Sequence, residues 1–101
     1  MIRETLKSRL TDSIKAHEME RVALLRLLLA AINNKEIELR IQKIEMLDKH
    51  ILKTIQKEIK QRNDSIESYK SGNRQDLVEK ETSELKMLEE IFTEFSPHEE
   101  Q

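Results

Sequence analysis

A chain of 101 residues, 37% hydrophobic and 38% charged, has room for one modest helical domain but not for the deep, multilayered core of a large enzyme. With no Cys it has no disulfide scaffold, thiolate metal site or thiol nucleophile, and with 3% aromatics its core must be aliphatic. The formal net charge of -2 hides an imbalance: residues 1–71 hold 15 Lys/Arg against 11 Asp/Glu, residues 72–101 only 3 against 9. A basic body with an acidic last third suits either nucleic acid on one face or a solvated helical surface.

In chain order, Ile2, Leu6, Leu10 and Ile14 recur every four residues and predict a first amphipathic helix. A corner is expected at His17 to Glu20, without Gly or Pro to mark it. A second helix is predicted from about Met19 to Arg40. Val22, Leu25, Leu28, Leu29 and Ile32 form its main stripe, which Leu24, Leu27 and Ala31 widen, so it should have neighbours on more than one side. Its most apolar run, Val22 to Ile32, is 11 residues broken by Arg26, short of the roughly 20 that span a membrane. Arg3, Lys7, Arg9 and Lys15 would suit a mitochondrial presequence, but Glu4 and Asp12 interrupt them, so a cytoplasmic location is expected, with an organellar one as the alternative.

The third helix is predicted from about Lys43 to Lys70, with the stripe Ile44, Leu47, Ile51, Ile55, Ile59, Ile66 and Tyr69, and a length of some 40 Å. Ser71-Gly72-Asn73 should close it, with Gly72, the only glycine, in the left-handed C′ position and Asn73 capping a fourth helix. Asp76 falls in that helix's electropositive first turn. Leu77, Leu85, Leu88, Ile91, Phe92 and Phe95 form its inner face, and the pattern stops at Ser96-Pro97. The expected architecture is all-α: a compact four-helix domain over 1–95, its long third helix in an antiparallel hairpin with the fourth, and an acidic tail over 96–101.

Two charges interrupt the apolar stripes: Arg62 between Ile59 and Ile66, and Glu81 between Leu77 and Leu85. They lie ten positions before Gly72 and nine after it, so an antiparallel hairpin makes them meet; the same register sets Ile66 opposite Leu77, Ile55 opposite Leu88 and Ile51 opposite Phe92. Arg62 and Glu81 are therefore expected to form a structural ion pair that fixes the register, bidentate where geometry permits; the alternative is an arginine waiting in a cleft for phosphate. Arg26 and Glu36 flank the stripe of the second helix and could lend polarity to a groove.

Opposite the apolar face of the third helix, Lys49, Lys53, Lys57 and Lys60 form a narrow ladder flanked by Gln56 and Gln61. Such a ladder can follow a phosphate backbone, or simply be a solvated helix back softened by Asp48 and Glu58. Base reading is disfavoured by the near absence of stacking aromatics, Tyr69 being the single tyrosine. His17, His50 and His98 are scattered, Ser65, Ser68 and Thr82 lack His–Asp partners, and one glycine cannot make a phosphate loop. No catalytic residue, metal or cofactor is expected.

The run Leu25-Arg26-Leu27-Leu28-Leu29-Ala30-Ala31-Ile32-Asn33-Asn34-Lys35-Glu36-Ile37-Glu38 resembles a segment of the GatB/YqeY-like family. So do Lys57 to Glu67, Tyr69-Lys70-Ser71-Gly72-Asn73-Arg74 and Asp76 to Glu81, and the resemblance covers about residues 1–93. It implies kinship with the tail domain of the B subunit of Asp/Glu-tRNA amidotransferase, a tRNA-holding module whose catalytic chemistry resides elsewhere. Any carbon–nitrogen ligase label would be inherited from that larger enzyme. Arg26, Arg62, Arg74 and Glu81 match positions typical of the family. The chain departs from it at Ile91-Phe92-Thr93, where members usually have Tyr-Leu-Pro, and the smaller helical domain that usually follows in members is not expected within these 101 residues. The resemblance thus implies a non-catalytic domain with a tRNA-binding or amidotransferase-associated role. The other reading is a protein-interaction or homodimerisation module using exposed aliphatic surface near Phe92 and Phe95.

Overall fold

Four helices account for most of residues 1–96, which the computed structural model describes: α1 (Ile2–Lys15), α2 (Met19–Ile41), α3 (Asp48–Ser71) and α4 (Gln75–Phe95). The fold is all-α, as the periodicity predicts. The chain divides into two compact units, Met1–Thr54 and Ile55–Gln101. Of the tail expected over 96–101, Ser96 is the C-cap residue of α4 and the rest lies outside the described residues.

In the first unit α1 packs on α2. Ile2 and Leu6 of α1 are buried, as are Val22, Leu24, Leu25, Leu28, Leu29, Ile32 and Leu39 of α2, and each such side chain removed from water contributes roughly 1.5–3 kcal/mol. Leu10 is half-buried and Ile14 exposed, contrary to the predicted stripe, while Ser13 is buried. A strict four-residue spacing advances about 40° beyond a full turn at each step. By Ile14 the stripe has therefore precessed off the buried face, and Ser13 has rotated onto it. Leu27 is a second correction: it is exposed rather than part of a wider buried stripe.

The second unit holds α4 and α3 from residue 55 onward, and the two form an antiparallel hairpin. Ile55, Ile66, Leu88 and Ile91 are buried as the sequence suggests, and Val78 and Met87 are buried although the predicted stripe omitted them.

The C-termini of α1, α2 and α3 close with one device. After α1, the His17 N–H bonds to Ile14 O and the Glu18 N–H to Ser13 O; after α2, Lys43 bonds to Arg40 O and Ile44 to Leu39 O; after α3, Asn73 bonds to Lys70 O and Arg74 to Tyr69 O. These are Schellman motifs, and in each the penultimate residue is left-handed: His17 at φ 59°, Lys43 at 62° and Asn73 at 58°. The expectation that Gly72 supplies the left-handed residue is corrected, since Gly72 has no positive φ. Asn73 takes that role because its short polar side chain tolerates the left-handed region better than other non-glycine residues do. Asn73 is then spent on ending α3 and does not cap α4, where Arg74 is the N-cap residue.

The left-handed Lys43 also moves the start of α3. The helix begins at Asp48 instead of Lys43, so Ile44 and Leu47 lie in the connection and are exposed. At the new start the Leu47 N–H donates to His50 Nδ1 over 2.9 Å. His50 thereby fills the place that Glu takes in a capping box, with its ring proton on Nε2. With 24 residues, α3 is about 36 Å long.

Candidate nucleic-acid interface

Lys49, Lys53, Lys57 and Lys60 all lie on α3, and all are exposed. Their spacing returns them to one side of the helix, away from the side that buries Ile51, Ile55, Glu58, Arg62 and Ile66. Lys60 is tied to Asp64 at 3.1 Å, one turn on, whereas Lys49, Lys53 and Lys57 have no carboxylate partner among the described residues. Glu58, which in sequence looks able to soften this ladder, is buried and turned toward Arg62. The ladder is therefore more cationic than a count of neighbouring charges suggests.

Arg62 is 9% exposed. Its Nε donates to Glu84 Oε1 at 3.0 Å and its Nη1 to Glu58 Oε1 at 3.1 Å, while Glu81 Oε1 stands 3.6 Å from Nε. Glu81 is thus within ion-pair distance, but the short hydrogen bonds go to two other carboxylates. Sequence reasoning missed Glu84 because it lies one turn beyond Glu81, and Glu58 because it precedes Arg62 by one turn on the same helix. Both are i,i+3 or i,i+4 neighbours of the expected pair, which is the signal that could have found them. Three carboxylates within ion-pair distance of one guanidinium take up its Nε and one Nη1 donor and surround it with negative charge, a poor setting for a phosphate.

The other charges flagged in sequence do not converge. Arg26 is exposed and has no ion-pair partner among the described residues, whereas Glu36 accepts from Arg3 Nη2 at 2.9 Å and lies 3.8 Å from Arg40. Arg74 forks onto Asp76, Nε to Oδ1 at 3.3 Å and Nη2 to Oδ2 at 3.2 Å. This hydrogen bond, helped by the start of α4, holds the Asp76 carboxyl below the usual carboxylate range. Phe92 and Phe95 are half-buried, and Phe92 lines an open groove of about 510 Å³ with Gln56, Ile59, Glu89 and Thr93. Large exposed hydrophobic side chains occur instead in the first unit, from Met1 to Leu47. Among the described residues no three His, Asp or Glu are arranged to hold a metal ion, and no helix is long and apolar enough to cross a membrane.

The family model described as Yqey-like protein matches residues 3–100. Among curated proteins, the chain is similar to "Altered inheritance of mitochondria protein 41, mitochondrial" of Kluyveromyces lactis, 39% identical over 87% of this chain and 46% of that protein. The protein of the same name from Lachancea thermotolerans is 39% identical over 82% of this chain and 43% of its own length. An uncharacterized Schizosaccharomyces pombe protein is 28% identical over 92% of this chain and 73% of its length. The chain thus spans less than half the length of the first two relatives. Their mitochondrial designation overturns the cytoplasmic location expected from the sequence. The expectation failed because α1 is a packed helix with Ile2 and Leu6 buried: Glu4 and Asp12 belong to the outer sides of a folded element, and their presence says nothing about a cellular address.

Proposed function

The chain belongs to the YqeY-like family, and from that premise we propose that it is a non-catalytic, mitochondrial helical domain that holds an RNA of the tRNA class on the lysine ladder of α3. The observation that carries the reading is that Lys49, Lys53 and Lys57 are exposed without carboxylate partners, while the buried guanidinium of Arg62 is occupied. Lysines on a helix back act as point charges toward phosphates and carry no base specificity. Binding would therefore be sequence-tolerant and strongly dependent on salt. Each lysine that neutralises a phosphate adds about 0.7–0.9 to the slope of log affinity against log salt. The mitochondrial setting comes from the names of the fungal relatives. The RNA class comes from the family's kinship with the amidotransferase tail.

The test is a titration of bulk tRNA at two salt concentrations with the parent and with Lys49→Gln, Lys53→Gln, Lys57→Gln and Lys60→Gln combined. The reading expects weaker binding by the variant at low salt and a slope shallower by about 3. Equal slopes, or no binding by the parent, would refute it.

A further inference from the structure

The outer side of α2 carries a pattern that packing within the chain leaves unexplained. Ala23, Leu27, Ala30, Asn34, Ile37 and Ile41 alternate by four and three residues across most of the helix, and every one is exposed. Leu27 is 46% exposed, Ile37 53% and Ile41 78%. This is heptad spacing, with Leu27, Asn34 and Ile41 in one class of seam position and Ala23, Ala30 and Ile37 in the other. The main buried stripe of α2 lies on the opposite side, so the helix has two apolar faces, only one of them covered. A surface helix needs no second face, and an exposed Ile41 or Ile37 gains nothing from water.

We infer that this seam pairs with the same seam of a second copy of the chain, in parallel, as a short two-stranded coiled coil. The occupant is a second copy because of Asn34. One polar residue at a seam position is stabilised when the facing helix brings an asparagine to the same level, and a parallel copy in register does so while matching every other layer like to like. The flanking charges favour the same arrangement. Parallel alignment sets Asn33 of one copy beside Glu38 of the other, an amide against a carboxylate. Antiparallel pairing about the middle of the seam would instead bring Arg26 against Arg40. Alanines at two layers let the helices approach closely, and the seam extends about 27 Å. That length is modest for a stable interface, so the dimer should be weak and concentration-dependent.

The absence of cysteine makes the test direct. A single Ala30→Cys substitution puts the thiol at a layer where parallel copies bring like positions together, within disulfide reach. The full chain carrying it should form a disulfide-linked dimer on mild oxidation far faster than a control with Lys7→Cys on exposed α1. Sedimentation equilibrium of the unmodified chain should show reversible dimerisation, and Ile37→Glu should raise the dimer dissociation constant at least about tenfold without loss of helical signal. The inference is overturned by a chain that stays monomeric to millimolar concentration. It is equally overturned by a dimer that Ile37→Glu leaves intact, or by cross-linking at Ala30 no faster than at Lys7.

Discussion

The two units differ in whether their unusual residues are exposed or buried. In Met1–Thr54 apolar side chains lie outside, where Leu27, Ile37, Ile41, Ile44 and Leu47 meet solvent. In Ile55–Gln101 charges lie inside, where Arg62 and Glu58 are each 9% exposed. Apolar area facing water asks for a partner, whereas a guanidinium among its own carboxylates has its charge already compensated. The contrast separates the charges of one helix: on α3, Arg62 is buried among its own carboxylates, and the lysines are exposed, where the proposed RNA contact would fall.

The comparison breaks most readily at Arg62. Arg62→Ala would strand Glu58, Glu81 and Glu84 without their cation and should cost about 3–5 kcal/mol in urea unfolding. Replacing Lys49, Lys53 or Lys57 on the same helix should cost less than about 0.5 kcal/mol. A similar cost at both kinds of position would erase the distinction between inside and outside.

Next in size is the turn that brings α4 back along α3. Asn73→Val puts a β-branched side chain into the left-handed region and should destabilise the chain by about 1–2 kcal/mol, whereas Asn73→Gly should be neutral or better. Gly72→Ala should stabilise by about 0.4–1 kcal/mol through the unfolded state, because a Cβ there meets only Ser68 O at 3.7 Å, Tyr69 O at 3.9 Å and Arg74 Cγ at 4.0 Å. A glycine in the left-handed position would give the opposite sign, so thermal melts of these three variants decide which residue makes the turn.

The smallest expected effect is at Arg74 and Asp76, both exposed. Because the folded carboxyl of Asp76 is held low, its contribution to stability is present above the ordinary aspartate range and is lost as pH falls through the folded value. An NMR titration should place the Asp76 midpoint below that of an unstructured aspartate. Arg74→Gln should move it upward, and an unmoved midpoint would remove the pairing.

Much of this was legible in the sequence for a simple reason: long-period apolar patterns and one short turn fix helix number and hairpin direction. What escaped it was decided by single residues. Nothing in Lys43 announces a left-handed conformation, and without that kink Ile44 and Leu47 continue the phase of Ile51 and Ile55. Gly72 beside Asn73 offers two candidates for one role, and propensity alone favours the wrong one. Arg62 was recognisable as a misplaced charge, but how its donors divide among three glutamates depends on side-chain reach, which periodicity does not encode. Leu27 of the α2 seam reads in sequence as part of a wider buried stripe, because an apolar residue at helical spacing looks the same whether its partner is inside the chain or outside.

The division of labour on α3 is tested most directly by converting the buried cluster to uncharged residues. Arg62→Met with Glu58→Gln, Glu81→Leu and Glu84→Gln removes the guanidinium without stranding a carboxylate, and the variant's tRNA affinity can be compared with the parent's while circular dichroism monitors its helices. The account predicts a dissociation constant within about twofold of the parent's, because phosphates meet only the lysines. A folded variant that binds tRNA about tenfold or more weakly would show that Arg62 reaches the RNA, and would contradict it.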